Sequence, residues 1–169
     1  MITHLSEPAR EPVSLAAAKA WLRVEHDADD ALIQTLIQAA REHVEAKTGL
    51  ALVEREVRVA VALCAREMRL PVFPVQSVRE VRVEGEAVEA ELRANARPAR
   101  IRFARRLQGE AEADLLVGFG AGEDSVPAAL RFACFLLVAD AYQNRESVSD
   151  SRVRMRVDSL LRPFRRVGL

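Results

Sequence analysis

The segment VPAALRFACFLLVADAYQNRE, from Val126 to Glu146, decides much of the fold. Pro127 stands where the first turn of a helix tolerates a residue without an N–H, and apolar residues then run almost without interruption from Ala128 to Ala141. A helix that is apolar nearly all round must be buried nearly all round. Because about fourteen apolar residues are too few to cross a bilayer, which needs roughly twenty, the segment predicts the central helix of a globular protein.

The composition of the whole chain agrees with that prediction. The 169 residues are 50% hydrophobic and only 5% aromatic, which suits one helix-rich domain with its own core. The start MITHLSEPAREP lacks the basic and apolar runs of a signal peptide, so we expect none. Cys64 and Cys134 lie far apart and form no CxxC motif, so we expect free thiols rather than a disulfide or a metal site.

The charge is balanced over the chain but not along it. The formal net charge is zero, yet residues 1–50 carry five Lys/Arg against eight Asp/Glu, and residues 145–169 carry seven arginines against three acids. An acidic head and a basic tail are typical of self-association or of a charged partner surface. General DNA binding usually shows an overall basic excess instead.

Two further helices are predicted before the central one. Ser14 is a suitable N-cap for a helix over residues 14–24, and Asp29 or Asp30 can begin a second helix over residues 30–48. Gly49 is placed for a left-handed C-cap. These signals predict a helical hairpin that follows an extended arm, residues 1–13.

From residue 52 the hydrophobic period changes. Residues 52–119 contain alternating apolar and polar runs and a short turn at Glu84-Gly85-Glu86, which is typical of antiparallel strands and a hairpin. The predicted fold class is therefore α+β and mainly helical, with the hairpin, a central helix over residues 126–146 and a small antiparallel β insertion. Together residues 14–148 form the predicted central domain.

Residues 149–169 form a tail that is predicted to be extended or helical. Val153, Met155 and Val157 alternate with arginines, which favours a strand, and a short helix can follow from Asp158 to Arg162. The tail has too little apolar area to offset its ordering entropy alone. We therefore expect it to fold only when it docks, against another subunit.

No motif predicts catalysis, and we expect no enzymatic activity, cofactor or bound metal. The turn from Gly118 to Gly122 has GxGxG spacing, and Glu123 and Asp124 would repel a phosphate there, so a turn with Ser125 capping the next helix is the better interpretation. The histidines and the acidic run around residues 25–30 lack the spacing of metal sites. No serine or cysteine has the neighbours of a nucleophile.

The candidate contact residues keep more than one interpretation. Trp21 fits either core packing or an interface anchor. The cluster at the end of the central helix fits either C-terminal capping or a subunit contact, and it comprises Tyr142, Asn144, Arg145 and Glu146. The arginines of the tail could face solvent, join a neighbouring sheet edge, bind an acidic partner or line a passage for DNA phosphates.

Three signals in order carry a family resemblance. They are PVSLAAAKAWLRV followed by DDALIQTLIQAAREHVEAKTG, the turn VGFGAG, and VPAALRFACFLLVADAYQNRES. Over residues 12–148 the chain resembles the gp6-like head–tail connector (adaptor) proteins of tailed phages and gene transfer agents, in the group with a β-rich insertion. The arm and the tail match only in general character.

The resemblance implies a structural protein in the neck of a phage-like particle, assembled in the bacterial cytoplasm. Twelve copies would form a ring under the portal protein, extend the channel through which DNA passes without sequence specificity, and offer a platform to a stopper or tail-completion protein. In such proteins the C-terminal segment reaches the portal. The implied portal or neighbour contacts are Arg152, Val153, Arg154, Met155, Arg156, Val157, Leu160, Leu161, Arg162, Phe164, Arg165 and Arg166.

Two alternatives remain open on the residues alone. One is a small DNA-binding or regulatory protein that uses the basic tail on phosphates, and the other is a different neck component that completes the head or closes the tail. Neither alternative needs a membrane.

Overall fold

The computed structural model describes residues 1–96, 98–144 and 151–165. The chain divides into two compact units. A sheet unit comprises Met1–Ala9 and Glu54–Gly120, and a helical unit comprises Arg10–Val53 and Ala121–Leu169.

The described residues of the helical unit form four α-helices, which are α1 (Leu15–Leu22), α2 (Asp30–Thr48), α3 (Ala128–Gln143) and α4 (Ser151–Leu161). The Ser14 hydroxyl accepts a hydrogen bond from the Ala17 N–H at 3.3 Å, which confirms the predicted N-cap of α1. Gly49 ends α2 at φ 70°, the left-handed conformation that glycine adopts without strain. Local signals therefore set both ends of the hairpin.

The start of α3 differs from the prediction. Ser125 belongs to a short 3-10 helix (Glu123–Ser125), and the N-cap position of α3 is occupied by Pro127, which makes no side-chain capping bond. The prediction that Ser125 caps this helix is therefore wrong. The side chain of Glu123 instead accepts a hydrogen bond from the Ser14 N–H at 3.0 Å, ahead of α1.

The core of the helical unit lies where α2 and α3 pack together. The buried apolar stripe of α2 comprises Ile33, Ile37, Ala40 and Val44. It is matched by buried residues of α3, namely Leu130, Ala133, Cys134 and Val138. Residues three or four positions apart share a helix face, so each helix presents one continuous apolar surface to the other. Burial raises the pKa of the Cys134 thiol to about 12.

A buried arginine ties the residues before α1 to α2. Arg41 is only 5% exposed, and its guanidinium lies 2.8 Å from the Glu11 carboxylate and 3.2 Å from that of Glu45. Burial alone would lower the pKa of Arg41, but the hydrogen bond with Glu11 and the neighbouring carboxylates raise it above its usual value. The arginine therefore stays charged, and each buried charge is compensated.

The sheet unit contains six strands, which are β1 (Ile2–His4), β2 (Arg55–Arg69), β3 (Val75–Val83), β4 (Glu86–Ala87), β5 (Ala90–Arg93) and β6 (Arg100–Val117). All pairings are antiparallel, in the order β1-β2-β6-β3-β4, and β5 also pairs with β6. The two longest strands run side by side from Arg55 opposite Val117 to Arg69 opposite Arg100. Glu84 and Gly85, at φ 53° and 82°, make the predicted turn into β4.

The prediction of a mainly helical fold with a small β insertion is wrong. Helices hold 38% of the described residues and strands hold 34%, so the class is α+β with two comparable parts. The error came from the length of β2 and β6, at 15 and 18 residues. Arginine-rich stretches interrupt their alternation, and the pairing between two strands distant in sequence continues past those stretches with a register shift between Ala65 and Glu67.

The prediction of a strand across Val153, Met155 and Val157 is also wrong, because this stretch lies within α4. No helix among the described residues has the length and apolar character needed to cross a membrane.

Candidate interaction surface

Helix α4 has one apolar side, which packs within the helical unit. Val157 and Leu161 are buried at 2% and 0% exposure, and Val153 and Leu160 are half-buried. These four residues follow the i, i+4, i+7, i+8 spacing of an amphipathic helix. The tail thus finds a partner inside its own chain, which corrects the expectation that it folds only against another subunit.

The other side of α4 is cationic and exposed. Arg152, Arg154 and Arg156 all face outward, and Arg162 follows in the short 3-10 helix Arg162–Phe164. Met155 lies among them and is 65% exposed. Arg165 is paired with Asp158 one to two turns back. We refer to Arg152, Arg154, Met155, Arg156 and Arg162 as the arginine face.

An aromatic cluster borders the arginine face. The rings of Trp21 and Phe132 meet edge to face, with centroids 5.8 Å apart, and Phe135 lies 5.5 Å from Trp21. The Arg156 guanidinium lies 5.2 Å above the Phe132 ring, within the range of a cation–π contact. We call Trp21, Phe132 and Phe135 the aromatic patch.

The described residues of the helical unit leave the aromatic patch partly exposed. Trp21 is 47% exposed, and both phenylalanines are half-buried. Trp21 therefore packs on other aromatic rings and is also open to solvent, so both of its predicted interpretations remain possible. Sequence reasoning did not select Phe132 and Phe135 as contact residues. The sequence signal that could have identified these two residues is a helix that is apolar all round in a chain with few other helices to cover it.

The predicted polar cluster at the end of α3 makes contacts within the chain. The Tyr142 hydroxyl donates to the Asp29 carboxylate at 2.5 Å, which joins α3 to the start of α2. The Asn144 side-chain amide donates to the Asp140 carboxylate at 3.0 Å, and its backbone N–H donates to the Asp140 carbonyl. Asn144 thus caps the C-terminus of α3. The proposed role of Tyr142 and Asn144 as subunit contacts stays a prediction.

Three predicted contact residues lie outside the described part of the chain, namely Arg145, Glu146 and Arg166. The described residues of the proposed portal-contacting set all lie on α4, on the 3-10 helix that follows it, or directly after that 3-10 helix. Two members, Val157 and Leu161, are buried inside the helical unit. The assignment of this set to a partner surface stays a prediction.

A cleft of 440 Å³ lies between α2, α3 and α4 and reaches the arginine face at Arg154. Its walls combine apolar side chains such as Leu36 and Leu137 with charged ones such as Lys47, Arg154 and Asp158. Within residues 1–96, 98–144 and 151–165 no group of three or more His, Cys, Asp or Glu side chains could hold a metal ion.

Comparison with known proteins gives these surfaces a context. Residues 12–85 match the family model described as the phage gp6-like head–tail connector protein. No curated protein sequence matches the chain.

Solved structures match over the entire chain. A chain from the neck of an empty gene transfer agent particle, computed with sixfold symmetry, is 25% identical and superposes with a TM-score of 0.88. Chains from the virion of the native gene transfer agent and from its neck computed with twelvefold symmetry give TM-scores of 0.85 and 0.81, also at 25% identity. Each match covers 100% of this chain and 97% of the other. These matches confirm the resemblance to gp6-like head–tail connector proteins that was predicted from the sequence.

Proposed function

We propose that the chain is a structural subunit of the neck of a phage-like particle, where it joins the capsid to the tail. The observation that carries the proposal is the superposition of all of its residues on neck chains of a gene transfer agent particle, with almost nothing of those chains left over. A protein that shares only a helical hairpin with connectors would not match over the sheet unit as well. The role is structural rather than enzymatic.

The subunits are proposed to form a closed ring of twelve copies. Similar chains are found in necks computed with sixfold and twelvefold symmetry. A ring requires a heterologous interface, in which two different patches of one chain meet on neighbouring copies. The acidic first fifty residues and the basic last twenty-five supply unlike charges for such contacts.

The arginine face of α4 is proposed to dock on the portal protein. Its cations are exposed on one side of a helix whose opposite side is buried, so they are held in a fixed arrangement. Arginine is well suited to carboxylate-rich partner surfaces, because its planar guanidinium forms paired hydrogen bonds. A stopper or tail-completion protein is proposed to bind the other end of the ring, and DNA to pass through the lumen without sequence-specific contacts.

Charge reversal tests the portal contact without removing buried residues. Arg154→Glu with Arg162→Glu should leave a folded protein that is lost from portal-containing particles. Arg10→Glu with Arg23→Glu is the matched control, since both residues are exposed and the charge change is the same. The measurement is the amount of the chain that copurifies with particles. Equal incorporation of both double variants would refute the portal contact.

A truncation provides a second, cruder test. Deleting residues 149–169 removes the arginine face and also uncovers the site where Val157 and Leu161 pack. We expect a less stable domain that does not join particles. Binding of the intact protein to random duplex DNA, with a steep dependence on salt, would instead favour the DNA-binding alternative.

A further inference from the structure

The sheet unit separates its charges along its length. Its basic end consists of residues 64–69 and 90–106, with eight arginines and two glutamates, a net charge of +6. The strand pairing brings these segments together, because β6 pairs with both β2 and β5 near Ile101 and Arg102. We call this region the basic end of the sheet.

The rest of the sheet unit has the opposite charge. Residues 54–63, 75–89 and 107–117 carry four arginines and nine acidic residues, a net charge of −5. The turn after β3 lies beside the middle of β6, since Val83 pairs with Ala111. That pairing clusters exposed carboxylates, and we call Glu84, Glu86 and Glu110 the acidic patch.

Among the described residues, few of the charges at the basic end and none in the acidic patch take part in an ion pair. At the basic end both glutamates are already paired, Glu67 with Arg100 at 2.9 Å and Glu91 with Arg93 at 3.1 Å. Among the described residues, no carboxylate forms an ion pair with the exposed cations, namely Arg66, Arg69, Arg102, Arg105 and Arg106. In the same described ranges no cation pairs with the acidic patch.

The two regions are too far apart along the sheet to neutralise each other. Arg102 and Glu110 lie opposite Glu67 and Ala62 of β2, which are five residues apart, and a strand rises about 3.3 Å per residue, which gives roughly 17 Å. Charges at the surface are largely screened beyond about 8 Å at physiological salt. Each region therefore acts on an approaching molecule as a separate patch of one sign.

We propose that the basic end of one subunit contacts the acidic patch of the next copy of this chain. The inference rests on the ring proposed above and identifies one of its interfaces. A single contact between copies brings the basic end of one subunit against the acidic patch of the next, so the opposite charges neutralise each other. When this contact repeats around a closed ring, every basic end and every acidic patch has a partner. Duplex DNA would satisfy only the basic end and would leave the acidic patch unexplained.

Charge exchange provides the test. One variant carries Arg102→Glu and Arg105→Glu, and the other carries Glu86→Arg and Glu110→Arg. Every residue changed is exposed, so circular dichroism and thermal melting should match the wild type. Each variant is expressed alone, and then both together, in cells that make particles but lack the wild-type chain. The readout is the number of copies per purified particle.

The expected result has two parts. Each variant alone places like charges at every interface, so incorporation should fall at least tenfold. The two variants together restore opposite charges at every interface when they alternate around an even-numbered ring, so incorporation should recover to within twofold of wild type. A single chain that carries all four substitutions should recover as well.

Other results overturn the inference. Normal incorporation of either variant alone would show that the two patches do not meet. Loss without recovery in the mixture, together with lost binding of the arginine variant to duplex DNA, would assign the basic end to DNA. Failure of the proposed function looks different, because the wild-type chain itself would then be absent from particle necks.

Discussion

Replacement of Leu161 by alanine should release α4 from the helical unit and leave the rest of the unit folded. An isolated helix of 11 residues is marginal in water, because helices shorter than about 12–15 residues rarely hold together alone. The stability of α4 therefore depends on its docked side, where Leu161 is fully buried. Leucine-to-alanine changes in a core cost about 2–5 kcal/mol.

The lower part of that range applies, because α4 packs on one side only. A cost of about 2–3 kcal/mol raises the population of the undocked helix roughly 30- to 150-fold. Amide hydrogen exchange over residues 153–161 should accelerate by that factor, while peptides from α2 should keep their protection. Met155→Ala is the control, since this side chain is 65% exposed and should change the rate by less than about threefold. Unchanged exchange in Leu161→Ala would refute the docking of α4.

Other predictions concern the charges and thiols of both units. Arg41→Met should lower the free energy of unfolding by about 1–3 kcal/mol, because it leaves the half-buried carboxylates of Glu11 and Glu45 without their partner, and an unchanged urea midpoint would contradict this. The hydrogen bond from Arg58 lowers the pKa of Asp114 in the folded protein. The ion pair of Arg58 and Asp114 therefore stabilises the fold fully above the pKa of an unfolded aspartate, about 3.9. This stabilisation is lost as the pH falls through the lower pKa that Asp114 has in the folded protein. Asp114→Asn should therefore destabilise the protein by about 0.5–1 kcal/mol at pH 7 and by less near pH 3, and an equal loss at both pH values in urea titrations would refute the pair. A thiol reagent should modify exposed Cys64 in the native protein and Cys134 only after unfolding, whereas two rapidly reacting native thiols would disagree with the buried position.

The parts of the fold that could be predicted from the sequence depend on neighbouring residues. A serine at an N-cap or a glycine in a left-handed C-cap acts within one helical turn, and both Ser14 and Gly49 take the predicted roles. The stripe of α2 is also local, because 3.6-residue periodicity is a property of the helix itself.

The parts that were missed depend on contacts distant in sequence. Val153, Met155 and Val157 fit a strand, but Val153, Val157 and Leu161 fit a helix equally well. The helix differs from the strand in leaving Met155 exposed and burying Leu161. This burial results from the packing of α4 on the rest of the helical unit, which the local sequence does not specify. The extent of β2 and β6 likewise depends on a pairing across more than thirty intervening residues.

The candidate contact surface shows the same division. The cationic character of the tail is visible in the sequence, but its grouping beside an aromatic patch is not. Trp21 and Phe132 are more than a hundred residues apart, and their edge-to-face contact follows from the packing of α1 with α3. Arg156 then joins the patch to the arginine face.

This grouping explains how a helix that is apolar all round can belong to a small chain. The described residues of the helical unit bury one side of α3 fully, and they leave Phe132, Phe135 and Leu136 half-buried. Apolar surface in contact with water costs about 25 cal/mol for each Å² that burial would remove, so a protein that worked alone would gain stability from polar residues at these positions. A subunit that is covered by its neighbours or by the portal has the opposite requirement. The apolar side of α3 that its own chain leaves open is therefore expected of a neck component, and the arginine face next to it would fix the orientation in which a partner binds.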